Sequence, residues 1–362
     1  MNLLFYMPAM AAYGGIERHL CGLAAAAAAQ GHTLRLLTTG DSLGAELRRE
    51  LAHPRITFRE LAAPRGSIGP LTKVLWLLNE LRLCRRETWD VVYTNAQSGL
   101  ALFLWWVAGP RTRRVHHHHT AADAPEQLTW SRSYRRVLRT APLLVGCSEA
   151  TCDALDRATR RTDAHFLPYL AACPIARDEV TERRADSGPI LRFGFCGRLI
   201  PEKGIDAILA LAAEPTLAHI EWHVHGAGEA YPPARFAGLP RLVYHGAYRS
   251  AAEHRAVLGS LDAVVLFSTH NEGMPLSLIE AMSAGLPWIA TDRGGTRELA
   301  LSSTDNVVAA ADATLAELAT AVRTLAERIR TRATSRVRQR SFYDAHFAPP
   351  VVAARWLSFF RA

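Results

Sequence analysis

Two glutamates, Glu272 and Glu280, stand eight positions apart, a spacing that would put both on one face of a continuous helix. Gly273 and Pro275 mark the sharp start of that helix, and Leu276, Leu278 and Ile279 supply the apolar face that buries it. A helix begun this way offers a positive dipole end and unpaired backbone N–H groups from Gly273, Met274 and Leu276, Pro275 having none to give, which suits a phosphate. Glu280, two turns in, can accept hydrogen bonds from vicinal hydroxyls. Phosphate beside vicinal hydroxyls is the chemistry of a nucleotide sugar.

The bland reading of a glutamate pair is a solvated helix face. Here it loses ground, because DAVVLF upstream and PWIATD downstream read as buried strands, which places the pair in a strand–helix–strand unit. Arg198 and Lys203 flank a turn fixed by Pro201 and Gly204, just after a strand that ends at Gly197. A diphosphate with no metal to neutralise it needs paired cations, a fork from Arg and a point charge from Lys. Gly226 and Gly228 follow the next strand; a lone Gly-x-Gly is often only a tight turn. Gly14 and Gly15 join the first strand to the first helix and let backbone approach a ligand closely. The full Gly-x-Gly-x-x-Gly is absent there, which argues against a dinucleotide-dependent dehydrogenase. His116, His117, His118 and His119 are consecutive in a strand, so they point alternately to opposite faces and cannot converge on one ion. Asn95 follows DVVYT at another strand end.

The elements that position these residues alternate strand and helix throughout. LLFYMP, TLRLLTT, RITFREL, DVVYTN, RRVHHH and LLVGCS form one set, with helices expected over 16–30, 72–86 and 131–139. ILRFGFCG, EWHVHG, LVYHG, DAVVLF, PWIATD and VVAA form a second, closed by one long helix over about 314–339. Such alternation predicts an α/β chain of two Rossmann-like, doubly wound parallel-sheet domains, 1–173 and 190–342, with 172–189 as linker. The tail 341–362 carries Phe342, Tyr343, Phe347, Trp356, Phe359 and Phe360 and must pack on something.

Of 362 residues, 49% are apolar and 21% charged, a globular balance. Six cysteines at 21, 84, 147, 152, 173 and 196 show neither a paired framework nor zinc-ligand spacing, which predicts a reduced, cytoplasmic protein. The opening MNLLFYMP reads as a first strand and not a signal peptide, and the longest apolar run is far short of a spanning helix. The net charge of +8 comes almost wholly from arginine. Nucleic acid is not expected as a partner, since no reader motif accompanies the charge, and a GC-rich genome's preference for arginine would account for it with no partner at all. An anionic membrane surface at the inner face of the cytoplasmic membrane is the other candidate, with Trp130, Tyr134 and Leu138 as an interfacial stripe backed by arginines; the same stripe reads equally as core.

Residues 272–298 resemble the signature of glycosyltransferase family 4, the retaining enzymes of the GT-B fold. The match runs through Glu272, Glu280, Ala281-Met282-Ser283-Ala284-Gly285-Leu286-Pro287 and Gly294-Gly295-Thr296-Arg297-Glu298. Gly197-Arg198-Leu199, Lys203-Gly204, Gly226-Ala227-Gly228 and Gly14-Gly15-Ile16-Glu17-Arg18 extend it over nearly the full length. The resemblance implies two domains facing a central cleft, with 343–362 crossing back to the first. It implies a nucleotide-diphosphate-sugar donor, with Gly14, Gly15, Gly197, Gly226, Gly228 and 273–276 around it. Arg198 and Lys203 would neutralise the leaving diphosphate, Glu280 would hold the ribose and Glu272 the donor sugar. His119 would stand near the sugar or the acceptor, with His118 as second choice and Asn95 on the acceptor side. The acceptor would be a glycan or glycolipid in cell-surface polysaccharide or lipopolysaccharide synthesis, and neither metal nor cofactor is expected. A nucleotide-sugar epimerase of the same fold and a non-catalytic sugar-nucleotide binding module are the alternatives. Three departures mark this chain: Pro168-Tyr169-Leu170-Ala171 for the family's Pro-Asn-Gly-Val-Asp, Phe267-Ser268 for Pro-Ser, and Glu272-Gly-Met-Pro for Glu-Gly-Phe-Gly.

Overall fold

Strands that are apolar at every position need cover on both faces, and the chain provides it by threading helices between parallel strands. The computed structural model describes residues 1–8, 10, 15–39, 43–61, 87–171, 175–182, 188–300 and 304–362. Gly14, Cys84, Cys173 and the helix expected over 72–86 lie outside them. Two compact units result: Met1–Leu170 with Val352–Ala362, and Ala171–Val351.

In the first unit the strands are β1 Asn2–Tyr6, β2 Thr33–Thr39, β3 Ile56–Leu61, β4 Val91–Thr94, β5 Arg113–His118, β6 Leu143–Gly146 and β7 His165–Phe166. All pair in parallel in the order β3-β2-β1-β4-β5-β6-β7. The helices are α1 Gly15–Ala29, α2 Ala45–Glu50, α3 Leu100–Ala108, α4 Ala124–Thr129, α5 Arg132–Thr140 and α6 Glu149–Thr159. The pleat sorts β1 between two cores. Leu3 and Phe5 join Leu20, Leu23, Ala24 and Ala27 of α1, whereas Leu4 and Tyr6 join Leu104, Trp105, Tyr134 and Leu138. Small residues let α1 lie close on its sheet face.

The second unit contains β8 Leu191–Cys196, β9 Ile220–His225, β10 Leu242–Gly246, β11 Ala263–Leu266, β12 Trp288–Thr291 and β13 Val307–Ala309, parallel in the order β10-β9-β8-β11-β12-β13. Its helices are α7 Ile205–Ala213, α8 Ala251–Ser260, α9 Leu276–Ser283, α10 Leu315–Arg330 and α11 Arg336–His346; α12 Pro349–Arg361 follows. Residues 175–182, expected as linker, are held within this unit. Arg340 donates to the Ile175 carbonyl, and Glu182 accepts from the Ser335 hydroxyl and the Arg336 N–H. Arg340 also donates to the Ser283 carbonyl at the end of α9, a cation at the negative end of that helix.

Two sequence expectations are corrected here. The single helix over 314–339 is two, broken where Arg332 turns left-handed at φ 59 and Ser335 caps α11 by accepting from the Arg338 N–H. Periodicity alone carries across such a break. The stripe Trp130, Tyr134, Leu138 is core: the three are 6%, 0% and 0% exposed and pack with Trp105 and Leu144. It offers no interfacial face. The aromatic tail divides, Tyr343 being buried in the second unit while Val352, Trp356, Leu357 and Phe360 of α12 enter the core of the first. The Trp356 indole N–H donates to the Pro168 carbonyl at 2.9 Å. Among the described residues, no helix is long and apolar enough to cross a membrane, and Cys21, Cys147, Cys152 and Cys196 are buried thiols outside any disulfide.

Candidate functional site

Strand order reverses beside β8 and β11 in the second unit, and a ligand of an open parallel sheet sits outside the carboxyl ends at such a point. Beyond β8, the Gly197 N–H donates to the His225 carbonyl and the Leu199 N–H to the Ala227 carbonyl, both at 3.0 Å. The loop after β8 therefore lies against the loop after β9, backbone to backbone. A Cβ on Gly226 would stand 1.9 Å from the Gly197 oxygen, and one on Gly228 1.9 Å from the Leu199 oxygen. These two glycines are required by loop-on-loop packing, a reason internal to the fold.

The loop then turns through a short 3-10 segment, Pro201–Lys203, into Gly204 at φ +71, where a Cβ would meet the Phe267 oxygen at 2.0 Å. This turn brings Lys203 across to the loop after β11. Its Nζ lies 2.6 and 2.8 Å from the two carboxylate oxygens of Glu272. Glu272 is 7% exposed and also accepts from the Ser268 hydroxyl. Arg198 is exposed, and its guanidinium has no hydrogen-bond or ion-pair partner among the described residues. Of the chain's 42 basic residues only Lys73 and Lys203 are lysines. A compact ammonium at this turn is a departure from the composition.

Glu272 and Glu280 do not share a helix face. Glu272 forms an isolated bridge with Gly294, and its carbonyl accepts from the Gly295 N–H at 3.0 Å; α9 begins only at Leu276, with Pro275 at its N-cap. Gly273 and Leu276 stay partly accessible, while Met274 and Pro275 are buried; at this end of α9 the Leu278 N–H already donates to the Pro275 carbonyl, which leaves those of Leu276 and Ser277 as the first-turn donors. Glu280 is 5% exposed, with one oxygen 3.5 Å from Nε2 of His254, whose ring stacks on Tyr248 at 4.5 Å. Burial, with Glu280 nearby, pushes the Cys196 thiol up to about 12, so Cys196 is an inert thiol at the strand end. Sequence reasoning missed His254 and Tyr248; a histidine and a tyrosine on separate elements carry no spacing signal.

In the first unit the reversal falls between β1 and β4, and Gly15 opens α1 beyond β1. Asn95 follows β4; both its amide atoms are buried without a hydrogen-bond partner among the described residues. That is a costly state for a side chain with no external role. The four histidines alternate as the pleat requires. His116 and His118 face Tyr134, and His117 and His119 face His19, Tyr93 and Tyr169.

His118 is 1% exposed, its Nδ1 2.7 Å from the Tyr134 hydroxyl and its Nε2 2.9 Å from the Thr120 hydroxyl and 3.1 Å from Glu126. His119 is half-buried as a residue. Tyr169 donates to the His119 carbonyl at 2.7 Å, so its oxygen accepts from His119 Nδ1 at 3.1 Å. This fixes the tautomer, with the proton on Nδ1 and Nε2 an acceptor that faces the Tyr93 hydroxyl at 3.5 Å. Burial first, then His19, His118 and His116, hold its pKa well below the ordinary histidine value. Tyr169, one of the three departures, is what orients His119.

Burial pushes the Glu126 carboxyl up, but hydrogen bonds from His118, Thr120 and Trp130 outweigh it and bring the group down to about 2. The folded value is below the ordinary one of 4.5. This network therefore stabilises fully above pH 4.5 and is lost as the pH falls toward 2. Stability measured by denaturant titration is expected to fall across that window in the wild type and to fall less in Glu126→Gln. Parallel curves would remove Glu126 from the acid response.

The sequence profile described as glycosyl transferases group 1 matches residues 191–328, and that of the glycosyl transferase 4-like domain matches 14–169. A GDP-mannose-dependent alpha-mannosyltransferase of Mycobacterium tuberculosis is 37% identical over 129 residues, 35% of this chain and 32% of that protein. Its counterpart in Mycolicibacterium smegmatis is 38% identical over 128 residues, with the same coverage of 35% and 32%. The matched stretch thus spans about a third of these relatives' length. Anabaena HepE, in a crystal structure with UDP and glucose, superposes with a TM-score of 0.76 at 18% identity, covering 100% of this chain and 99% of that one. A glycosyltransferase of Rickettsia africae reaches 0.79 at 16% identity, covering 99% and 97%. These likenesses show the fold to be GT-B.

Proposed function

Because the chain belongs to the group 1 glycosyltransferases, we propose that it moves a sugar from a nucleotide-diphosphate sugar to a hydroxyl of a glycan or lipid-linked acceptor, with retention at the anomeric carbon. One observation carries the reading: exposed Arg198, the Lys203–Glu272 pair and the N-terminus of α9 gather where the strand order of one sheet reverses. Cations and helix N–H groups there meet the diphosphate, and their attraction grows as the bond to the anomeric carbon breaks. The acceptor oxygen bonds that carbon on the same face, and its proton passes to the leaving phosphate oxygen. Glu280 holds the ribose hydroxyls. Glu272 accepts from donor-sugar hydroxyls while fixing the Lys203 ammonium. His119, through Nε2, accepts from a sugar hydroxyl, and Asn95 serves the acceptor.

The partial identity to GDP-mannose-dependent enzymes supports GDP-mannose as donor, and a precursor of cell-surface polysaccharide or lipopolysaccharide is the matching acceptor class. A thermal-shift panel of nucleotide sugars tests the donor. A ligand at 100 times its Kd adds about 2.7 kcal/mol to stability, so GDP-mannose is expected to raise Tm above GDP alone and above UDP-glucose. Transfer is expected to persist in excess EDTA, because cations of the chain neutralise the diphosphate. Activity abolished by EDTA and restored only by Mg²⁺ or Mn²⁺ would overturn the metal-free part.

A further inference from the structure

We propose that His223, His225 and His245 bind a divalent first-row transition-metal ion of the Zn²⁺ or Co²⁺ kind, in an open three-histidine site at the edge of the second sheet. The proposal does not depend on glycosyl transfer.

His223 and His225 lie two residues apart on β9, so they share one face of the sheet. Tyr244 of β10 is opposite Val224 and Gly246 is opposite His225, which leaves His245 as the extra residue of a bulge. Bulges re-aim side chains, and this one sets the His245 ring over both neighbours. It stacks 4.2 Å from the His225 ring and 5.1 Å from that of His223. One nitrogen from each of the three rings falls within 4.8 Å of the other two.

Three further observations point to an ion rather than to packing. His223 Nε2 is 2.7 Å from a Glu221 oxygen, and since the carboxylate can only accept, the proton sits on Nε2. The Nδ1 lone pair of His223 then faces His245 Nε2 at 3.0 Å. A carboxylate behind a histidine is the usual device for setting the tautomer and orientation of a metal ligand. Two nitrogens bound to one tetrahedral ion stand about 3.3 Å apart, close to that distance. Finally, Nε2 of His225 is buried with no hydrogen-bond partner among the described residues. A His223–His245 hydrogen bond alone would leave it so, whereas a shared ion gives it a partner. His223 and His225 are buried and His245 is exposed, which leaves an entry path and a fourth position for water. The three rings stand within 15° of parallel, so they must turn, the exposed His245 foremost, for their in-plane lone pairs to meet at one ion. Three imidazoles and a water suit Zn²⁺, Co²⁺, Ni²⁺ or Cu²⁺ over Mg²⁺ or Ca²⁺.

The ion would tie β10 to β9 directly beside Gly226, and so brace the loop that packs on Gly197. The test is titration of the chelator-treated chain with Co²⁺, read by visible absorbance, and with Zn²⁺, read by calorimetry. One ion per chain, a tetrahedral Co²⁺ spectrum displaced by Zn²⁺, and a raised Tm are expected. His245→Ala alters an exposed side chain, so it should fold, and it is expected to abolish the spectrum. Glu221→Gln should weaken affinity by about 10- to 100-fold. A folded wild type that binds no ion, or unchanged binding in His245→Ala and His223→Ala, would overturn the proposal.

Discussion

Lys203→Ala is expected to depress kcat/KM by roughly tenfold to several hundredfold, mainly through kcat. A charge-assisted hydrogen bond is worth about 1.5–3 kcal/mol, and one aimed at a leaving diphosphate strengthens as charge develops. The structure adds a second consequence that the sequence did not announce. Removing Lys203 strips Glu272 of its partner, with side chains 18% and 8% exposed respectively. Unpairing a fully buried carboxylate costs about 3–5 kcal/mol, and this partly open pair should cost less. Activity and stability will therefore fall together in the single variant. Lys203→Met combined with Glu272→Gln removes both charges, so it should regain most of the stability and none of the activity. Lys203→Arg should also be impaired, since the planar guanidinium cannot reproduce a compact ammonium held by both oxygens of Glu272. Steady-state kinetics and denaturant unfolding of the four proteins decide it. Wild-type kinetics in folded Lys203→Ala would sink the donor-site assignment.

Gly228→Ala is expected to lower stability by about 3 kcal/mol or more, among the largest effects of any single methyl group in this chain. The new Cβ would stand 1.9 Å from the Leu199 oxygen and 2.7 Å from its carbonyl carbon, and backbone cannot move aside as a flexible side chain can. In a unit of this size that loss is a fall in Tm of roughly 6–12 °C. Gly259→Ala is the control. Gly259 lies in α8 with nothing within 4 Å of its Cβ position, so the substitution should be neutral or stabilising. The two outcomes separate packing from ligand contact. Were Gly228 needed only for donor approach, the ligand-free Tm would stay at the wild-type value while donor affinity fell.

The alternation of strand and helix and the glycine turns that carry the site residues were legible along the chain, whereas the strand order and its reversal points were not. Period and turn chemistry are set by backbone geometry within a few residues, so they survive in the sequence. Short or irregular features were not: β7 has two residues, and the break before α11 depends on Arg332 and on Asp305, which accepts from the Ser335 N–H from 30 positions away. The identity of the site residues was likewise readable, but not their partners. Lys203 meets Glu272 across 69 positions and Tyr169 meets His119 across 50.

By itself the sequence determined an α/β chain of two parallel sheets, the family resemblance and the loops where phosphate chemistry belongs. Tertiary structure alone decided that Glu272 stands off the helix and holds Lys203, and that Gly226 and Gly228 accommodate neighbouring carbonyls. It also decided that the Trp130 stripe is core and that His118 is buried while His119 is only half-buried. The physical reason is common to all four. Which side chain a residue meets, and how much water remains around it, is fixed by elements distant in sequence, and no local pattern encodes them.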